Sequence, residues 1–229
     1  MLEALRTEVC EANLELVRRG LVIYTFGNAS GISREKGLIV IKPSGVPYEK
    51  MTPADMVVAD LEGRVVEGAL RPSSDLPTHA ALYRAFPTIG GVAHTHSRHA
   101  TAWAQARREI PCFGTTHADY FCGAVPVTAP LVAEHVTSDY EANTGLAIIE
   151  LLKGRDPLGC PAALVAGHAP FCWGKSVADA VHNAVIVEEL AAMAWQTLTI
   201  NPAAQPISET LRDKHYFRKH GPAATYGQG

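Results

Sequence analysis

Between Leu21 and Gly68 the chain carries short runs rich in β-branched and apolar residues, "LVIYTF", "LIVIK", "MVVADL" and "RVVEG". Turns such as "GNASG", "KPSG" and "LEG" punctuate them. Connections this short and this rich in Gly, Ser and Pro suit hairpins rather than helical crossovers, so the region reads as a mainly antiparallel meander. Helical patterns surround it. Leu2, Leu5, Val9, Ala12 and Leu16 recur at helical spacing before Gly20, a left-handed stop. Pro77 to Phe86 reads as a helix with Asp75 near its start, "IGGVAHTH" as a buried strand, and Ser97 as the N-cap of a helix through Ala106. "CGAVPV" reads as a strand, and "AALVAGHAPFCWG" as strand, turn, strand. Helices "TSDYEANTGLAIIELLKG" and "SVADAVHNAVIVEELAAMAWQTL" flank that hairpin, and "SETLRDKHYFRKHG" precedes a Gly-rich tail. With no repeat and no linker, the expected α/β fold is one domain over residues 1–229. Its sheet is central, mostly antiparallel and flanked by helices on both faces, in three layers.

Composition narrows the function classes. The 229 residues are 47% apolar and 19% charged with a formal net charge of -3, and no run of like charge marks a nucleic-acid or membrane footprint. A small molecule is the expected partner. The five cysteines are odd in number and show no Cys-x-x-Cys pair, which argues against a disulfide framework or a thiolate metal site. The N-terminal stretch is amphipathic with four glutamates, unlike a signal or transit peptide, so a cytoplasmic setting is expected.

Three histidines lie within "HTHSRH". His94 and His96, two apart on a strand, point to one face, whereas His99 falls past its end. Two buried imidazoles side by side need partners, and a shared metal ion is the economical one. The alternative is a hydrogen-bonded core pair. A third ligand is sought in Asp75, within "PSSDLPTH", or His168, where a strand opens into a turn. Neutral imidazoles suit zinc and its borderline neighbours. The remaining histidines carry less: His79, His99 and His182 read as packing or supporting groups, His135 and His220 as solvated. His117 and His215 each lie beside an acid or a tyrosine.

Three turns share an anion-binding character: Gly27 and Asn28 in "FGNASG", Lys42, Ser44 and Gly45 in "KPSG", and Ser73 and Ser74 in "RPSSD". Small residues let backbone N–H groups and hydroxyls approach a phosphate closely. The third runs directly into Asp75, which suggests a phosphate held near a metal.

Longer stretches now carry a resemblance. "GNASGISRE", "VIKPSGV", "MTPADMVV", "VVEGALRPSSDLPTHAALYRAFPTIGGVAHTHSRHATAWAQA", "GTTHADYF", "HAPFCWGKSVADAVHNA" and "DKHYFRKHGPAATYGQ" together resemble the L-ribulose-5-phosphate 4-epimerases of the class II sugar-phosphate aldolase and epimerase superfamily. The resemblance implies the class II aldolase fold. It makes His94, His96 and His168 ligands of one divalent ion per subunit, Zn2+ first with Mn2+ and Co2+ as alternatives, and puts Asp75 at or beside it. It places Gly27, Asn28, Ser44, Gly45, Ser73 and Ser74 around the substrate and phosphate, with Lys42 and Thr115 nearby. Asp119, in "THADY", and Tyr226, in "TYGQ", match the acid/base pair. Homotetramers with active sites between subunits are implied, the tail 221–229 completing a site.

Chemistry constrains the implied reaction. The carbinol hydrogen at carbon 4 of a pentulose phosphate is not acidic, because the carbonyl is two carbons away. Epimerisation must therefore break the bond between carbons 3 and 4, giving glycolaldehyde phosphate and the enediolate of dihydroxyacetone. A divalent ion stabilises such an enediolate, and an acid/base group is needed on each face of the aldehyde. The product expected from L-ribulose 5-phosphate is D-xylulose 5-phosphate, in pentose catabolism of the L-arabinose type. A fuculose-type or rhamnulose-type aldolase is the rival; those resemble the chain less, carrying Glu where Asp75 stands and lacking the "THADY" acid. A non-catalytic module like the adducin head is a rival of another class, and three intact histidines count against it.

Overall fold

The computed structural model describes residues 2–221 and 224–225. Helix α1 (Glu3–Arg18) leads into a meander of β1 (Gly27–Ser33), β2 (Leu38–Ile41), β3 (Val57–Asp60) and β4 (Val65–Glu67). Then come α2 (Leu76–Ala85), β5 (Gly91–Thr95) and α3 (Arg98–Gln105), followed by the short α4 (Thr115–Ala118) and α5 (Ala133–Thr137). The chain ends through α6 (Tyr140–Leu151), β6 (Ala162–Leu164), β7 (Pro170–Gly174), α7 (Val177–Ile200) and α8 (Glu209–Phe217). The strands form one sheet in the order β4-β3-β2-β1-β5-β7-β6. Every neighbouring pair is antiparallel.

The two-residue period of the strands sorts side chains into two cores. Val40, Val58, Ala93 and Cys172 point to one face, against Leu16 of α1, Trp103 of α3 and Val187 of α7. Their neighbours Ile39, Ile41, Val57, Val92, Phe171 and Trp173 point to the other, against Tyr83 of α2 and Ile148 of α6. The expected three layers are present, and both faces of the sheet are covered.

Local structure departs from the sequence reading at four places. "LVIYTF" is not a strand: Leu21 and Val22 are buried, but Ile23, Tyr24 and Phe26 are 59%, 85% and 55% exposed. The Phe26 N–H closes a turn onto the Ile23 carbonyl at 3.1 Å. The strand is instead "GNASGIS", whose first five residues, "GNASG", read as a turn from their small side chains. At Gly31 the small residue answers to helix packing: a Cβ there would stand 2.5 Å from Val177 Cγ2 and 2.8 Å from Leu5 Cδ1. "CGAVPV" makes only isolated bridges, Val125 to Ile110 and Val127 to Leu164. Finally, Ser97 does stand at the N-cap of α3, as expected, but its side chain makes no capping hydrogen bond. The first N–H groups of α3 are met by Glu188 of α7, which accepts from His99 N at 2.9 Å and Ala100 N at 2.9 Å. A carboxylate from a distant helix supplies the anion that the N-terminus favours.

Candidate metal and sugar-phosphate site

Strand β5 delivers His94 from the centre of the sheet and His96 just past its end, while the turn between β6 and β7 brings His168 beside them. The register makes this unavoidable, because β5 pairs with β7 through His94 and Phe171. His94 Nε2 lies 3.1 Å from His96 Nε2 and 3.2 Å from His168 Nε2. The three ligand atoms lie within 4.8 Å of one another. His94 is buried, stacked on Phe171 at 4.0 Å between ring centroids, and its Nδ1 lies 2.9 Å from the Pro170 carbonyl. That carbonyl can only accept, so Nδ1 carries the proton and Nε2 keeps its lone pair aimed at the other rings. His96 is exposed, which leaves the open side of the trio facing solvent.

Electrostatics keeps the rings neutral. Burial lowers the pKa of His94 well below the ordinary imidazole value, and it lowers those of His96 and His168 as well. Three neutral imidazoles converging on one point, one oriented by a backbone carbonyl, fit a divalent cation; their lone pairs otherwise face one another unsatisfied.

Asp75 stands at the start of α2 and does not join the three-atom cluster. Its Oδ2 accepts from Asn28 Nδ2 at 2.6 Å. Burial raises its pKa, but coupling to the adjacent His94 and His79 rings and the hydrogen bond from the Asn28 amide outweigh that and hold the carboxyl below its usual range. The Asn28 bond joins the first anion turn to the third. Ser44 N–H donates to the Arg71 carbonyl and Ser73 N–H to the Lys42 carbonyl, both at 2.9 Å, which zips the second and third turns together. Tyr48, which the sequence reading missed, ties first to second: its hydroxyl donates to the Gly27 carbonyl at 2.7 Å, and Lys42 Nζ lies 4.7 Å from its ring centroid. Lys42 is buried, its ammonium donating to the Pro43 carbonyl, and burial lowers its pKa. Ser44, Gly45 and Ser74 are exposed beside it, and Asn28 Oδ1 is buried without a partner among the described residues. A buried cation with no carboxylate partner among those residues, ringed by small side chains, suits an anionic ligand.

Thr115 and Asp119 lie elsewhere, at the start and end of α4. Asp119 accepts from Arg218 Nη2 at 2.9 Å and His215 Nδ1 at 3.1 Å, and Lys219 Nζ is 3.2 Å away. Its backbone carbonyl accepts from His220 Nε2 at 2.9 Å. Burial raises the Asp119 pKa, and the bonds from Arg218, His215 and Lys219 outweigh it, so the carboxyl is held below its usual range. His220 is therefore not a free surface group; it stacks on Tyr216 at 4.3 Å. A signal was available in "KHYFRKH", where His215, Arg218 and Lys219 share one helical face. None of the described hydrogen bonds, ion pairs or ring contacts joins Thr115 or Asp119 to His94, His96 or His168. Tyr226 lies outside the described residues.

The supporting histidines sort cleanly. His79 is fully buried, its Nδ1 2.7 Å from Ser30 Oγ, and His117 meets the Gly123 carbonyl at 2.8 Å; burial takes each down to a pKa of about 4. His99 pairs with Glu188 at 2.8 Å, His182 packs on Tyr120, and His135 is exposed.

An antiparallel sheet between two helical layers, opening three imidazoles that could hold a metal ion beside linked turns of small residues, defines a domain of the class II aldolase type. The chain belongs to the class II aldolase and adducin N-terminal domain family, whose model matches residues 7–195. It is 57% identical over 227 residues to "L-ribulose-5-phosphate 4-epimerase UlaF" of Salmonella paratyphi C (strain RKS4594), covering 99% of this chain and 100% of that one. Among solved structures it is similar to an L-fuculose 1-phosphate aldolase, with TM-score 0.80, 25% identity, and coverage of 94% and 95%. A second, the l-fuculose-1-phosphate aldolase from Thermus thermophilus, aligns at TM-score 0.70 and 25% identity, over 89% of this chain and 100% of that one.

Proposed function

We propose that this chain converts L-ribulose 5-phosphate to D-xylulose 5-phosphate by breaking and re-forming the bond between carbons 3 and 4, as an isomerase of cytoplasmic pentose catabolism. What supports the reading most is the 57% identity to a curated 4-epimerase along essentially the whole of both chains. His94, His96 and His168 hold the metal, with Asp75 at its edge. When bound, a zinc-type divalent ion supplies Lewis-acid stabilisation of the negative charge that develops on the enediolate. The linked turns of Gly27, Asn28, Lys42, Ser44, Gly45, Ser73 and Ser74 hold the phosphate and keep the two-carbon fragment in place while it turns over.

Asp119, held ionised, takes the proton of the carbon 4 hydroxyl on one face, and Tyr226 serves the other. Because no contact among the described residues joins Asp119 or Thr115 to the trio within one chain, these two act on the metal site of a neighbouring copy, in a homotetramer whose sites the tail 221–229, with Tyr226, completes. NMR of the carbon skeleton after incubation with L-ribulose 5-phosphate tests the reading. D-xylulose 5-phosphate is the expected product; free dihydroxyacetone identifies an aldolase instead, and unchanged substrate a binding module.

A further inference from the structure

Phe26 has a large apolar ring that neither core uses. It is 55% exposed and sits at the open rim of the trio, its ring centroid 6.2 Å from that of His96 at an interplanar angle of 43°. The ring is held there from three sides. Its N–H is tied to the Ile23 carbonyl, and Tyr24, at a left-handed φ of 55°, sets its own ring edge-on at 6.5 Å. The next residue, Gly27, has φ 121°, its carbonyl accepts from Tyr48, and a Cβ there would stand 2.7 Å from the His94 carbonyl oxygen. Phe26 therefore occupies a built position between a metal ligand and the first anion turn.

We propose that Phe26 is a specificity-determining wall that keeps the cleaved fragments together, so that the chain epimerises rather than releasing products. This rests on the epimerase reading above. When the bond between carbons 3 and 4 breaks, its electron pair stays on carbon 3 as the enediolate and the carbon 4 hydroxyl gives its proton to the base. Glycolaldehyde phosphate then turns its other face, carbon 3 adds back, and the proton returns to the carbon 4 oxygen. If water reaches carbon 3 first, protonation there yields dihydroxyacetone and the aldehyde leaves. An apolar ring on the solvent side excludes that water and obstructs the aldehyde's exit.

The test compares metal-loaded wild type, Phe26→Ala and Phe26→Leu on L-ribulose 5-phosphate. It reads dihydroxyacetone released, captured by an NADH-dependent reductase, per D-xylulose 5-phosphate formed, together with metal content. The ratio is expected to rise about tenfold in Phe26→Ala and less in Phe26→Leu, with metal stoichiometry unchanged. A wild type that epimerises while both variants keep its ratio overturns the wall alone. A wild type that makes no D-xylulose 5-phosphate overturns the epimerase reading and the wall with it.

Discussion

The histidine trio and the Asp119 cluster solve opposite electrostatic problems. In the trio, burial strips three rings of charge and leaves their lone pairs facing one another at 3.1 and 3.2 Å. In the cluster, one carboxylate is surrounded by Arg218, His215 and Lys219. The first is short of positive charge and calls for a cation from solution; the second already has its cations and stays ionised at any neutral pH. On the proposed reading the two roles stay separate within one chain: a carboxylate already engaged by three cations does not compete as a ligand for the ion that the trio calls for.

The largest effect tests the trio. His96→Ala removes one of three neutral donors at the exposed corner, and is expected to lose the metal and all turnover together; elemental analysis beside the assay checks this, and full occupancy would mean the ligands lie elsewhere. Asp119→Asn should separate the two regions. It keeps the shape, removes the charge, and is expected to retain metal while epimerisation falls by about 100-fold or more. Normal turnover in that variant would break the proton-acceptor role.

A smaller effect reads the clamp itself. Asp119 has a folded pKa below its ordinary 3.8, so its contribution to stability is complete above that value and is lost as pH falls through the folded one. Arg218→Met weakens the clamp and moves the carboxyl back up. The acid limb of kcat/KM is then expected to move to higher pH, with metal content unchanged; an unmoved limb would show that Arg218 does not set the Asp119 ionisation.

Much of this contrast is legible in the chain. His94 and His96 announce themselves by two-residue spacing, and "KPSG" and "RPSSD" by composition. His168 needs the pairing of β5 with β7, seventy-odd residues apart in sequence, which no local pattern contains. The Asp119 clamp needs α8 folded back on α4 across about a hundred residues; His220, in polar surroundings, looks solvated until that contact forms, whereas His215 stands out only by its acidic and aromatic neighbours. "GNASGIS" misleads for a different reason. Small residues mark turns where a backbone needs unusual angles, and here they mark a strand over which two helices pass closely.

That close passage gives the smallest functional effect and the clearest structural one. At Gly31 the backbone is ordinary extended strand, so alanine meets no conformational strain; its Cβ meets Val177 at 2.5 Å and Leu5 at 2.8 Å. Valine is stiff about χ1 and is fixed at the start of α7, so the helix rather than the side chain must give way. Gly31→Ala is expected to cost about 1–3 kcal/mol, the range for overpacking a filled core, read as a lowered Tm. The turnover of the remaining folded protein should stay near wild type, because Gly31 pairs with Gly91, three residues before His94, and the strain falls on α1 and α7 rather than on the ligands. A variant with unchanged Tm would show that the small residues of β1 are not set by helix packing, and a folded variant without metal would show that the trio depends on that packing far more than the Asp119 clamp does.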